Sequence, residues 1–575
     1  VLALALGAVL FVPSPASAAE DFHALVDQYF NAALPYQPSY ATALGIHTYD
    51  TKLENYSRST IDAEIRGLHY FLKKFEAVSA AGLDQGTQGD LSMMQNNLRS
   101  QLLSLETIRM WEKNPDNYSS GIAASAFVLM ERKFAPANDR LRSLVSREKQ
   151  MPAVFTAARE NLKNPPHIYT EIAIEQLPGL VSFFQSDVPA AFTDATDPAL
   201  KAEFAKTNAA VIAALGEYGK WLQSDLLPRS NGDFRFGADT FSKKLLYDEM
   251  VDTPLDKLLE IAYADLHKNQ AEFARVAKEV DPAKDPKEVL AELATIHPAP
   301  DQLLASFQGT FDGLIAFIRA KKIITIPSDV QPVLEETPPF MRATTSASMD
   351  PPGPFETNSK TAYFNVTLPE KNWTPEHIAE HMAEFNVGTI VSTSVHEAYP
   401  GHYVQFLWVN STNLSKVRKI VTANSNVEGW AHYCEQMMLD QGYGQPGAGA
   451  KDEREAKLIR LGQLQDALLR DARFVVGIKM HTGDMSFDQA VDFFVAEGYQ
   501  SRSAGTVETK RGTADATYLY YTLGKLEIMK LRADLEQKEG AAFSLQQFHD
   551  DFMKQGGAPI KIVRKALLGD DSPTL

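Results

Sequence analysis

Across most of this chain, apolar residues recur three and four positions apart, and that spacing limits the fold more than any other feature. Segments such as "DFHALVDQYFNAAL", "LSMMQNNLRSQLLSLETIRMWEK" and "PLDKLLEIAYADLHKNQAEFARVAKEV" set an apolar stripe opposite a charged face. A helix can bury such a stripe, whereas a strand of that length would scatter it over both faces. Their Leu, Ala, Glu and Lys content favours the same element. No internal repeat or low-complexity tract is visible, which argues against a solenoid. The pattern predicts a mainly α fold.

The texture changes between residues 326 and 373, where Pro, Ser and Thr are dense and no single helix is possible. Two strand-like runs, around Val333-Leu334 and Tyr363-Thr367, predict a small sheet or loop-strand lobe. A helix should open just beyond it, with Thr374 as N-cap, Pro375 at the first helical position and Glu376 in the first turn. We therefore expect a helical N-terminal part over 20–325 and a C-terminal part over 326–575, the two sharing one core. With 575 residues, 44% of them hydrophobic, the chain can bury a large core.

The first residues, "VLALALGAVLFVPSPASAAEDF", combine a short apolar run, a proline break and the small-x-small site Ala16-Ser17-Ala18. That is the anatomy of a secretory signal peptide, expected over 1–19, with the numbering starting inside a longer precursor. The run is short for a membrane span, so no stable membrane anchor is expected. The single cysteine, Cys434, excludes an intramolecular disulfide, which suits a bacterial periplasmic or secreted location. A net charge of −17 excludes nucleic acid and anionic lipid as main partners, because both are held through Lys and Arg excess.

His377, His381, His396, His402, His432 and His481 crowd into one stretch of the C-terminal part. "HIAEH" places His377 and His381 on one helix face, with Glu380 between them, and matches the inverted His-x-x-Glu-His zinc pattern. An ordinary polar helix face carrying two histidines explains it as well, and a pattern this short arises by chance. "HEAYPGH" sets His396 and Glu397 ahead of His402. On an unbroken helix that step leaves the two imidazoles about 120° apart. Pro400, however, cannot donate to the carbonyl of His396 and its ring crowds that carbonyl, while Gly401 supplies backbone freedom. A local break there could return His402 to the side of His396; a plain helix stop with two surface histidines is the alternative. "NVEGWAHYCEQ" follows, with Glu428, His432 and Glu435 on one helix face. One of these carboxylates could serve as the third ligand of a His2Glu zinc site, while Glu435 or His432 orients a ligand from behind.

These motifs resemble the bacterial DUF885 family, taken as zinc metallopeptidases of gluzincin type. "PSYATALGIHTYD" is similar to its N-terminal stretch, "HEAYPGHYVQ" to its His-Glu-x-x-Pro-Gly-His-x-x-Gln signature, and "EGWAHYCEQ" to its Glu-Gly-Trp-Ala-x-Tyr element. The resemblance implies a gluzincin-like helical peptidase fold with zinc held by His396, His402 and Glu428, Glu397 as general base, and a peptide substrate. The chain departs from the family further on. Where members carry Glu-x-x-Arg-Tyr and then Pro-Gly-Gln-Ala, Glu508 and Arg511 here precede "GTADATYLYYTLG". Tyr521 is the leading oxyanion donor on position, Tyr518 and Tyr520 compete with it, and His481 is a weaker choice. Arg511 is a candidate for a substrate carboxylate or for a buried Glu such as Glu508. Tyr363 and Asn365 lie in "TAYFNVTLP", read either as an edge strand that pairs with an extended peptide or as a core strand. The same machinery could instead cleave a non-peptide amide or ester, or the chain could be a non-catalytic helical binding protein that keeps the fold.

Overall fold

A computed structural model describes residues 15–338, 341–342, 345–370 and 373–575. Most of the expected 1–19 leader lies outside them; the first described helix spans Pro15–Ala33. The chain is mainly α, with one three-stranded sheet in the 326–373 stretch and a two-stranded ribbon at Gln445–Pro446 and Gly449–Ala450. The largest core draws Phe22 and Phe75 together with Phe311, Phe364, Val395, Trp430 and Phe552, so both ends of the chain contribute to it. A second core, containing Tyr118, Leu144, Phe155, Phe183 and Leu215, lies within residues 53–226.

Eight helices carry or support the site, and in chain order they are α1 (Leu255–Val280), α2 (Pro375–Ala383), α3 (Val387–Glu397), α4 (His402–Ser411), α5 (Asn424–Asp440), α6 (Glu453–Thr482), α7 (Arg502–Ala514) and α8 (Tyr520–Glu539). Local chemistry explains their ends. Thr374 caps α2 by accepting from the His377 N–H, with Pro375 in the first turn. Asn386 accepts from the N–H groups of Gly388 and Thr389 at the start of α3. Helix α6 stops at Gly483, whose φ of 92° an L side chain rarely adopts. Buried on nearly every side, α6 is the central post against which α1, α3 and α8 pack. Polar ties fix the register: Lys525 on α8 meets Asp265 of α1 at 2.7 Å, and Asp471 of α6 accepts from Asn269 at 2.7 Å and Thr522 at 3.0 Å.

Two crossings are closer than side chains allow. A Cβ on Gly462 of α6 would fall 2.4 Å from the Gly388 carbonyl carbon of α3, and one on Gly524 of α8 would fall 1.9 Å from the Ser425 oxygen of α5. The second crossing sets α5 and α8 nearly backbone to backbone.

The sheet corrects one expectation. Its strands are β1 (Val333–Glu336), β2 (Ala347–Asp350) and β3 (Tyr363–Val366), in the order β1-β3-β2. Strand β3 runs parallel to β1, with Val333 opposite Tyr363, and antiparallel to β2, with Asp350 opposite Tyr363. Both its edges are taken, so Tyr363 and Asn365 cannot present an open edge to a peptide, and Phe364 packs against Phe307 and Phe311 instead. The sheet's edges belong to β1 and β2, and the "ASMD" of β2 lacks the β-branched pattern that would announce a strand.

In the second core, burial pushes the Glu148 carboxyl from its ordinary 4.5 up to about 8, while a hydrogen bond from Thr207 opposes the shift. A carboxyl whose folded pKa is raised adds stability that is complete below the unfolded value and is lost as pH climbs to the folded one. Wild type should therefore lose about 1.4 kcal/mol per pH unit through this group between those values. Glu148→Gln, which cannot ionise, should flatten the decline, so that its Tm relative to wild type rises between pH 5 and pH 8. Parallel Tm curves for the two proteins would refute this.

Candidate metal centre

Helix α3 ends where Pro400 makes it end. Beyond Glu397 the N–H groups of Ala398 and Tyr399 both reach the Ser394 carbonyl, and the Gly401 N–H reaches Val395 at 3.0 Å. The Tyr399–Pro400 bond is cis, and α4 begins at His402. The chain thus breaks into two helices in place of one bulged one. The break folds Gly401 so tightly onto α3 that a Cβ there would lie 1.8 Å from the His396 oxygen. Trp430, fully buried under the turn, donates its indole N–H to the Pro400 carbonyl at 2.9 Å. Gln405 ties α4 to α5 through Asn426 at 2.8 Å.

The result is a convergence. The His396 and His402 rings lie 4.8 Å apart, nearly perpendicular. Glu428 Oε2, from α5, is 3.3 Å from His396 Nε2 and 3.2 Å from His402 Nε2. These distances lack hydrogen-bond alignment, and Glu428 Oε2 is a buried oxygen without a hydrogen-bond partner among the described residues. The three ligand atoms therefore gather within 4.8 Å of one another around an oxygen that no hydrogen bond satisfies. Two ligands of a tetrahedral zinc at about 2.0–2.1 Å stand roughly 3.3 Å apart, so this donor set fits such an ion. Among the described residues, His396, His402 and Glu428 form the one His/Cys/Asp/Glu group close enough to hold a metal.

Supporting carboxylates fix the orientation. Glu435 takes the His396 Nδ1 hydrogen at 2.6 Å, leaving Nε2 to face the cluster, and its other oxygen meets His432 Nδ1 at 3.1 Å. Arg470 stands 3.2 Å from Glu435. Burial alone would lower the His396 pKa, but the Glu428, Glu435 and Glu397 carboxylates outweigh it and carry it up to about 9. Burial likewise opposes ionisation of Glu428, yet His402 and His396 hold its carboxyl well below the usual range. Burial keeps His432 neutral, down at about 3. The Glu428, Glu435 and Glu397 carboxylates thus favour positive charge at this point.

The family described as a bacterial protein of unknown function, DUF885, matches residues 38–567. The chain belongs to the DUF885 family. Among solved structures it is similar to a lipoprotein candidate of unknown function from Shewanella oneidensis, at 26% identity and a TM-score of 0.76, over 97% of this chain and 100% of that one. A lipoprotein candidate from Colwellia psychrerythraea shares the fold at 17% identity and a TM-score of 0.79, over 96% of this chain and 99% of that one. No curated protein matches.

In this DUF885 chain the cluster opens onto a cleft of about 990 Å³. Glu397 lines it, and its Oε2 is buried without a hydrogen-bond partner among the described residues. Of the three competing tyrosines, Tyr521 lines the cleft, with its ring 6.3 Å from that of His396. Tyr520 donates to Asp515 at 2.9 Å, and Tyr518 is buried beneath Gly512. The close α5–α8 crossing makes this selection, because Gly429 and Gly524 bring the first turn of α8 beside Glu428. Arg511 also lines the cleft, and donates to Tyr521 Oη at 3.2 Å.

Other expected residues are placed elsewhere. His481 sits in the last turn of α6, where it hydrogen-bonds the Gly512 carbonyl at 2.8 Å among Phe234 and Phe236. Burial lowers its pKa to about 4, and it does not line the cleft. Tyr363 and Asn365 do not line it either; Ala347, Ser348 and Met349 of β2 do. His377 and His381 border the cleft without joining a metal group, one stacked on Trp373 and the other bonded to the Thr367 carbonyl at 2.8 Å. Sequence reasoning passed over Arg470, Arg473 and Glu384, all of which line the cleft. Arg470 and Arg473, three apart in "ALLRDARFVVGI" of α6, carried a readable signal, since buried arginines need partners.

Proposed function

We propose that this DUF885 chain is an exported zinc-dependent metallopeptidase that hydrolyses peptide bonds of short peptides, with Glu397 as general base. The observation that supports it is the convergence of two imidazoles and one carboxylate on a buried point beside Glu397 in an open cleft. His396, His402 and Glu428 are the residues that would hold zinc, leaving one position for substrate or water. Bound there, zinc would supply Lewis acidity, polarising a carbonyl and making water more acidic.

The remaining work falls to the chain's own groups. Glu397, next to His396, takes a proton from the attacking water on its free oxygen and returns it to the leaving amine. Glu435 keeps the His396 ring turned so that Nε2 faces the site. Burial pushes the Tyr521 hydroxyl up to about 12, so it stays protonated at neutral pH and can donate to the oxygen where charge develops. The cleft lies at the upper end of small-ligand pockets, which suits a few extended residues over a folded protein. The export reading is supported by the leader pattern at residues 1–19 and by solved relatives described as lipoprotein candidates. No helix among the described residues is long and apolar enough to cross a membrane.

Elemental analysis of purified wild type, His396→Ala and His377→Ala, followed by peptide hydrolysis with and without chelator, tests this reading. Wild type and His377→Ala should each hold about one zinc and lose hydrolysis to chelator, while His396→Ala should hold none. A wild type without zinc, or hydrolysis indifferent to the chelator, would end the proposal.

A further inference from the structure

Four arginines line the cleft, and they are not equivalent. Arg342 meets Glu336 at 2.8 Å and the Thr337 carbonyl at 2.7 Å. Arg470 meets Glu435 at 3.2 Å and donates to the Asp466 carbonyl at 3.0 Å. Arg473 grips Glu508 with two nitrogens, at 2.5 and 2.8 Å. Arg342 and Arg473 are thus held by the protein's own acceptors, and Arg470, whose Nε has no hydrogen-bond partner among the described residues, is buried against Glu435 and Asp466.

Arg511 is different. Its Nη2 alone is engaged, through two long contacts: Asp515 at 3.3 Å and Tyr521 Oη at 3.2 Å. The same Asp515 oxygen already accepts from Tyr520 at 2.9 Å. Among the described residues, Nε and Nη1 of Arg511 have no hydrogen-bond partner, and its side chain is 28% exposed. A guanidinium with adjacent free donors matches a carboxylate, whose two oxygens accept them side by side. Elsewhere the cleft is lined by the carboxyl groups of Glu370 and Glu380, and Glu508 beside Arg511 is already paired with Arg473. Of the four, Arg511 is therefore the arginine with adjacent donors left for a carboxylate that enters this cleft.

The location is equally specific. The Arg511 guanidinium carbon is 5.8 Å from the Tyr521 ring centre, and that centre is 6.3 Å from the His396 ring. Those two distances place the guanidinium carbon within about 12 Å of the His396 ring, so a peptide held at Arg511 by its carboxylate needs only a few extended residues at about 3.3–3.6 Å each to reach the ligand cluster.

We propose that Arg511 binds the free C-terminal carboxylate of the substrate, so that the chain cleaves a short peptide near its C-terminus. The inference rests on the peptidase reading above. The step itself is ordinary hydrolysis: water oxygen bonds to the carbonyl carbon, the C–N bond breaks, and the protons of water divide between the released amine and the new carboxyl group.

The test is a matched pair of N-acetylated tripeptides, one ending in a free carboxylate and one in an amide. Hydrolysis is measured on the zinc-loaded wild type and on Arg511→Gln, and binding of both peptides to the metal-free chain is measured by calorimetry. The free acid should be preferred by at least about 50-fold in kcat/KM, should bind the metal-free chain more tightly, and should lose most of that preference in Arg511→Gln. Equal cleavage of acid and amide by wild type overturns the inference and leaves the peptidase reading standing. A variant that slows both substrates equally also overturns it, since Arg511 would then only position Tyr521. If neither peptide is cleaved and neither is bound, both readings fall together.

Discussion

Glu397→Gln should keep its metal and lose its turnover, with kcat falling by about 10²–10⁴-fold. Glu397 is the last residue of α3, directly after His396, yet it lies outside the group whose atoms converge. Glutamine has the same length and shape, so the helix end and the neighbouring imidazole should stay in place while the proton acceptor disappears. Zinc content and kcat are measured on the same preparation, because the two readouts separate the possible roles. A variant that turns over within a few-fold of wild type would remove Glu397 from proton transfer. Loss of zinc along with activity would place Glu397 among the ligands and undo the donor set argued here.

Gly401→Ala should cost more metal affinity than the roughly 10–100-fold that follows loss of a supporting partner. The added methyl would sit 1.8 Å from the His396 oxygen and 2.4 Å from the Val395 oxygen. Both are backbone atoms, so no side-chain rotation relieves the overlap and the turn between α3 and α4 must open. His402 is the next residue along the chain, and opening the turn withdraws it from His396 and Glu428. Competition with a chromophoric chelator reads the affinity, and circular dichroism reports whether the helices survive. Gly309→Ala is the control: it lies in the helix Leu303–Lys321, its added methyl meets nothing within 4 Å, and it should leave metal binding intact. Zinc affinity in Gly401→Ala close to that of wild type would show that the tight turn does not hold the site.

Much of this architecture was legible because it depends on neighbours in sequence. Amphipathic spacing marks the helices, Thr374 and Pro375 mark the start of α2, and the change in composition at 326–373 marks the sheet, including β1 and β3. Strand β2 was not legible. "ASMD" has no strand pattern of its own and is held by pairing with β3, sixteen residues from Ala347 to Tyr363 along the chain. The pairing also reversed the expectation for Tyr363 and Asn365, since the order of strands decides which one is an edge.

The site divides along the same line. By itself the sequence determined that the helix carrying His396 must break or bulge at Pro400-Gly401, because a missing N–H and a missing Cβ act locally whatever the rest of the chain does, and it offered His396, His402 and a carboxylate of the 428–435 stretch as candidate metal ligands. Tertiary structure alone decided which groups meet. Tyr521, in place of Tyr518 or Tyr520, lines the cleft where α8 approaches α5 at Gly429 and Gly524, while Arg511 also lines it and His481 lies against Phe234 and Phe236. That approach is set by packing between residues nearly a hundred positions apart, and no local pattern records it.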